Sequence, residues 1–199
     1  MKITVLKGKK REKFKKMHFS IDKREVAVYE TFKEKVGNPC SVLYPACGFN
    51  ISPSEVFNNI TFVDPNPNVY AALTVCGFES FWECIQDYRP KAEHDLLVLQ
   101  GFYSELIKET LRFVAKEGHI LIGPFNPYYL GSIYDQAEII QNEGIFSCYG
   151  EINFVDREDK NNSRTRFTRS LDGKLTRYNT KHQGRVKLGA DWYIFKKDK

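Results

Sequence analysis

The sequence predicts an α/β fold of three layers, a mostly parallel sheet of about seven strands with helices on both faces, and a basic β-hairpin inserted before the last strand. Three observations predict it. Short apolar runs of strand character recur between residues 40 and 155, and segments with helical spacing or helix-capping residues separate them. Strands alternating with helices in this way imply parallel pairing and right-handed crossovers, with helices covering both faces. From Arg157 the alternation stops, and two β-rich runs flank Asp172-Gly173, a dipeptide suited to a two-residue hairpin turn.

The elements follow in order. KITVLKG has the alternation of a short strand, whereas KKREKFKKMH is too charged to pack, and the sequence leaves its fold open. Asp22 followed by Glu25 has capping-box character, Val28, Tyr29, Phe32 and Val36 recur at helical spacing, and Gly37-Asn38-Pro39 stops the helix. A helix is therefore expected over residues 23–36. SVLYP reads as the first strand and ACGFN as a turn. Ser52-Pro53-Ser54-Glu55 opens a brief helix, and ITFVD from Ile60 is the second strand. Asn66-Pro67 repeats the cap-plus-proline signal for a helix through Val75 that Gly77 ends. FESFWECI, HDLLVLQG and GHILIGPF are the third, fourth and fifth strands, with a helix from Tyr103 to Lys116 before the fifth. IYDQAEIIQNEG is a further helix, Phe146 to Val155 a strand, and DWYIFKK the last strand. In the basic insert, the turn at Asp172-Gly173 would set Phe167 across from Tyr178.

At 199 residues and 42% hydrophobic, the chain can bury a full core. The division expected is a basic N-terminal segment and helix over residues 1–39, packed on a domain over 40–199 that carries the hairpin insertion at about 157–187. No apolar run is long enough to span a membrane, and the charged start lacks a secretory apolar segment, so a cytoplasmic protein is expected. Five cysteines without a CxxC spacing and four scattered histidines suggest reduced, mostly buried thiols and no metal site. The net charge of +5 is unevenly spread. Residues 1–24 carry ten Lys/Arg against two acids, residues 157–187 ten against three, and residues 25–156 seven against eighteen. Two such basic segments flanking an acidic body are either solvated surface or a grip for RNA or DNA.

In an open parallel sheet, ligands sit beyond the carboxyl ends of the strands, beside the first strand. That places Cys40 to Pro67 at the site. A small-residue loop after the first strand, an acid after the second and a last strand returning after an excursion resemble the class I S-adenosylmethionine-dependent methyltransferases, a Rossmann-like family. The resemblance covers residues 40–156 and 190–197 and leaves both basic segments unexplained. It implies S-adenosylmethionine as cofactor and a glycine-loop site at Tyr44, Ala46, Cys47 and Gly48. In VLYPACGFN the family's acid is replaced by Tyr44, its first glycine by Ala46 and its third by Asn50, so the loop is degenerate. Losing the acid removes a partner for the cofactor's ammonium. Asp64, followed by Pro65, matches the acid that binds the ribose hydroxyls, Asp87 resembles the acid near the adenine, and Gln100 follows the fourth strand. Phe102 and Tyr103 fall where the family builds its methyl-acceptor pocket.

Asn126-Pro127-Tyr128-Tyr129 looks like the NPPY signature of amine methylases, but it follows the fifth strand rather than the fourth and lacks the second proline. It reads as a turn and helix start, with Asn126 and Tyr128 kept as pocket candidates. Two functions stay open: a methyltransferase, for which nucleic acid is the acceptor class considered with RNA favoured, or a methyltransferase-like fold without chemistry that serves as a nucleic-acid or protein binding module.

Overall fold

The computed structural model describes residues 4–123, 133–155, 164–170, 172–173 and 192–198. Among the described residues, eight strands form one sheet: β1 (Val42–Pro45), β2 (Ile60–Val63), β3 (Glu79–Phe81), β4 (His94–Leu99), β5 (Val114–Ile122), β6 (Phe146–Val155), β7 (Arg164–Arg169) and β8 (Trp192–Lys197). Their spatial order is β3-β2-β1-β4-β5-β8-β6-β7. The first five are parallel, and β8 inserts antiparallel between β5 and β6.

Period-two alternation sends successive side chains of the central strands into two cores. On one face, Val42, Tyr44, Leu96, Val98, Leu121, Trp192 and Ile194 pack with α2 (Lys23–Lys35) and α3 (Pro67–Val75). On the other, Leu43, Leu97, Leu99, Ile120 and Ile122 meet α4 (Ile107–Leu111) and α5 (Ile133–Asn142). The caps act as expected. Asp22 accepts from the Arg24 amide at 2.8 Å, and Asn66 from the Asn68 amide at 2.9 Å.

Besides residues 4–7, which form no strand, and a third strand that stops at Phe81, three expectations change. The charged segment forms a helix, α1 (Gly8–His18), and it does pack. Arg11 Nε donates to the Cys76 carbonyl at 2.6 Å, the Arg11 and Lys15 cations lie over Phe78 at 5.2 and 5.8 Å, and Lys15 reaches Glu55 at 3.2 Å. Long basic side chains bury their stems while keeping the charge paired or wet, which a polarity count misses. The helix expected from Tyr103 to Lys116 is cut to a 3₁₀ turn (Ser104–Leu106) and α4, because Val114 already pairs with His94 in the sheet. Finally, the first run of the expected hairpin, 164–169, joins the sheet as β7 beside β6, with Phe167 opposite Ile152, while the second run from residue 174 lies outside the described residues. Tyr178 lies outside the described residues. Among those described, no helix is long and apolar enough to cross a membrane.

His119 on β5 sits between the rings of Phe32 and Tyr149, at 6.0 and 5.5 Å. Burial, with Lys196 as the lesser cause and Asp95 opposing, pushes its pKa down from 6.5 to about 4. Above pH 6.5 the imidazole is neutral in both folded and unfolded chains. Between 6.5 and about 4 only the unfolded chain takes up the proton, so stability falls as the pH drops through that window. Urea denaturation at pH 7 and 4.5 is expected to show a smaller acid loss for His119→Gln than for the wild type.

Candidate functional site

The carboxyl ends of β1, β2 and β4 converge on one edge of the sheet. After β1 the chain turns through Ala46 and Gly48, both in left-handed conformation at φ 49° and 54°. The Ala46 amide donates to the Val63 carbonyl at 2.7 Å, which ties the turn to β2. An alanine held there keeps the glycine geometry at a cost of about 1–2 kcal/mol. Ala46→Gly is expected to raise the unfolding midpoint by about 1–3 °C, since relieving that strain outweighs the added freedom of the unfolded chain.

Asp64 follows β2 and is 6% exposed. Its Oδ2 accepts from the Gly48 amide at 2.9 Å and its Oδ1 from the Asn66 amide at 2.9 Å, so loop and carboxylate hold each other. Cys47 lies beside it with Sγ 4.0 Å from Oδ2. Burial, reinforced by the Asp64 charge, pushes the Cys47 thiol well up, so it stays protonated rather than serving as a nucleophile. Pro65 is exposed, and its carbonyl accepts from Trp82 Nε1 at 2.9 Å.

The third glycine position takes a different course. Asn50 is outside the left-handed region and works through its side chain. Its Oδ1 accepts from the Ser52 amide and hydroxyl at 2.9 and 2.7 Å, while its Nδ2 donates to Glu25 Oε2 at 2.8 Å. Gln100, at the end of β4, accepts at Oε1 from Tyr44 Oη at 2.9 Å and donates through Nε2 to Glu25 Oε1. Burial pushes the Tyr44 and Tyr29 phenols well above their ordinary range, so both remain hydroxyl donors. Tyr44, Asn50, Gln100 and Glu25 thus form one network beneath the loop.

Glu25 was not among the residues expected at the site. Its spacing from Asp22 reads as a capping box, but the Asp22 amide donates to Ser52 Oγ at 2.9 Å, which leaves the Glu25 carboxylate to reach Asn50 and Gln100. Trp82 was also missed. It is 58% exposed just past β3 and stacks on Tyr70 at 6.4 Å. An exposed aromatic after a strand end is the signal that would have found it.

The remaining candidates separate. Asp87 is exposed in a turn beyond β3, and its neighbour Tyr88 packs on His94 and Phe113, at the amino ends of β4 and β5. Phe102 is fully buried in the core rather than facing the edge, and its carbonyl accepts from Gln136 at 2.8 Å. Tyr103 is 47% exposed. Asn126 and Tyr128 lie outside the described residues. Cavities of about 310 and 380 Å³ open at the opposite, amino-terminal edge, one lined by Pro39, Asp95 and His119 and the other by Thr61, Glu79 and His94.

No family model and no curated protein matches the sequence. Solved structures do match. The N-methyltransferase NodS from Bradyrhizobium japonicum superposes with a TM-score of 0.58 at 11% identity, over 98% of this chain and 100% of that one. A Thermotoga maritima S-adenosylmethionine-dependent methyltransferase, named as a possible histamine N-methyltransferase, gives 0.58 at 11%, over 96% and 95%. Magnesium protoporphyrin IX methyltransferase from Synechocystis gives 0.52 at 8%, over 95% and 80%. With the β3-β2-β1-β4-β5 order and the returning antiparallel β8, these likenesses show that the chain has the class I methyltransferase fold.

Proposed function

We propose that the protein is an S-adenosylmethionine-dependent methyltransferase. The observation that carries this reading is Asp64 at the carboxyl end of β2, hydrogen-bonded to the Gly48 amide of the turn that follows β1. The residues fit the cofactor. Each Asp64 oxygen has used one lone pair on an amide; that left on Oδ1 can take a ribose hydroxyl, and that left on Oδ2 faces only the Cys47 thiol, 4.0 Å away. A side chain built at Gly48 or Gly101 would meet nothing within 4 Å, so the turns after β1 and β4 both present bare backbone to open space. Trp82 and Pro65 offer an apolar wall beside Asp64 for the adenine.

S-adenosylmethionine supplies an electrophilic methyl group on sulfur. The chain's part would be alignment: Asp64 would orient the ribose, the Gly48 turn would admit the sulfur-bearing chain, and exposed Tyr103 would face the acceptor. An in-line displacement asks for positioning more than for an acid or base, so no catalytic triad is needed. Isothermal calorimetry and thermal shift with S-adenosylmethionine and S-adenosylhomocysteine test this. Binding with a raised midpoint supports it, and neither heat nor shift at millimolar ligand overturns it.

The latter result would favour a cofactor-free binding module. The observation on that side is that both Asp64 oxygens already accept from the chain's own amides.

A further reading concerns the partner, and the observation that favours it is α1. Lys9, Lys13 and Lys16 are exposed along this helix, which ends where Ser20 donates to the Phe49 carbonyl of the loop at 2.9 Å. A row of ammonium groups leading to the site suits an RNA backbone. Lys9, Lys13 and Lys16 changed together to Glu should weaken tRNA binding and flatten its salt dependence. Unchanged binding refutes the reading.

A further inference from the structure

Glu25 occupies an unusual setting. Its carboxylate is half-buried at the site edge and held in orientation by two neutral amide donors, Asn50 Nδ2 and Gln100 Nε2. The direction of the Gln100 amide follows from its surroundings. Its oxygen accepts from Tyr44 and, at 3.5 Å, from Tyr29, and burial keeps both phenols protonated, so the NH₂ end must face Glu25.

Among the described residues no basic side chain forms an ion pair with this carboxylate. The adjacent Arg24 is turned away, with Nη2 2.8 Å from Asp22 Oδ2. Two amide bonds use about half of the lone pairs that a carboxylate offers. A fixed carboxylate, partly desolvated and without a cation, is a prepared site for one. It also touches Asn50, the end of the very turn whose preceding strand carries Tyr44 in place of an acid.

We propose that Glu25 is the ammonium-binding carboxylate of this site, holding the α-ammonium at the amino-acid end of the cofactor. On this view α2 supplies the negative charge that residue 44 lacks. Tyr44 instead became a positioning residue, acting through Gln100 to aim the carboxylate. The inference rests on the proposed function, since it takes the ligand to be a nucleoside that carries an α-amino acid.

Calorimetry on wild type and Glu25→Gln with two probes tests it. S-adenosylhomocysteine carries the ammonium, whereas 5′-methylthioadenosine has the same nucleoside and thioether without the amino-acid end. Replacing a charge-assisted hydrogen bond by a neutral one should weaken S-adenosylhomocysteine about 10- to 100-fold and leave methylthioadenosine within about twofold. Equal losses on both probes would mark a structural role and overturn the proposal, as would unchanged S-adenosylhomocysteine affinity. If the wild type binds neither probe, the functional reading itself has failed. A measurement that needs no variant backs this up: N-acetylated S-adenosylhomocysteine, which lacks the charge, should bind the wild type at least about tenfold more weakly than the parent. Equal affinity overturns the proposal even if Glu25→Gln does not fold.

Discussion

Gly123→Ala is expected to lower the unfolding midpoint by about 6–12 °C, the equivalent of about 3 kcal/mol in a chain of this size. Gly123 closes β5, where its amide donates to the Leu99 carbonyl at 2.9 Å. A methyl group there would fall 2.4 Å from two ring carbons of Trp192 and 2.7 Å from a third. The indole is 1% exposed and packs edge-on against Tyr29 at 5.6 Å, between the sheet and α2. Protein interiors are packed densely enough that such a ring yields only by displacing its neighbours. Scanning calorimetry of Gly123→Ala, Trp192→Leu and the double variant separates the effect from any other. The glycine change should cost much less once the indole is gone, and additive losses would show that the two residues do not conflict.

Asp64→Asn is expected to weaken S-adenosylhomocysteine binding by about 10- to 100-fold, from one charge-assisted hydrogen bond of about 1.5–3 kcal/mol. The same change should cost about 1–3 kcal/mol of stability. Asparagine keeps one acceptor oxygen but turns an NH₂ toward either the Gly48 or the Asn66 amide, donor against donor. The two effects have different meanings. Reduced stability together with lost affinity fits a cofactor site. Reduced stability in a protein that bound no cofactor beforehand fits a carboxylate that merely ties the turn to β2. Titration calorimetry and urea denaturation on the same preparations tell these apart.

Much of this fold is legible in the sequence because its signals are local. The Asp22 cap, the Asn66-Pro67 helix start and the strand Phe146–Val155 depend on residues within a few positions of each other, and each forms where it was expected. Errors arise where a distant partner outweighs local preference. Val114 has helical spacing with Leu111, yet pairing with His94 draws it into β5. Phe102 follows a strand end like a pocket residue, yet the arrival of α5, with Gln136 on its carbonyl, closes it into the core.

By itself, the sequence determined the order of strands and helices from α2 to β6, the turn after β1 and the acid after β2. All of these follow from period, capping and turn chemistry along the chain. The tertiary structure alone decided the polar network beneath the loop. Residues 25, 44, 50 and 100 meet only because α2, β1, its loop and β4 come together at one edge of the sheet. Such a network depends on how elements pack across the sheet, and no local spacing encodes it. The same holds for α1, whose charge reads as repulsive until Phe78 and Glu55 are beside it.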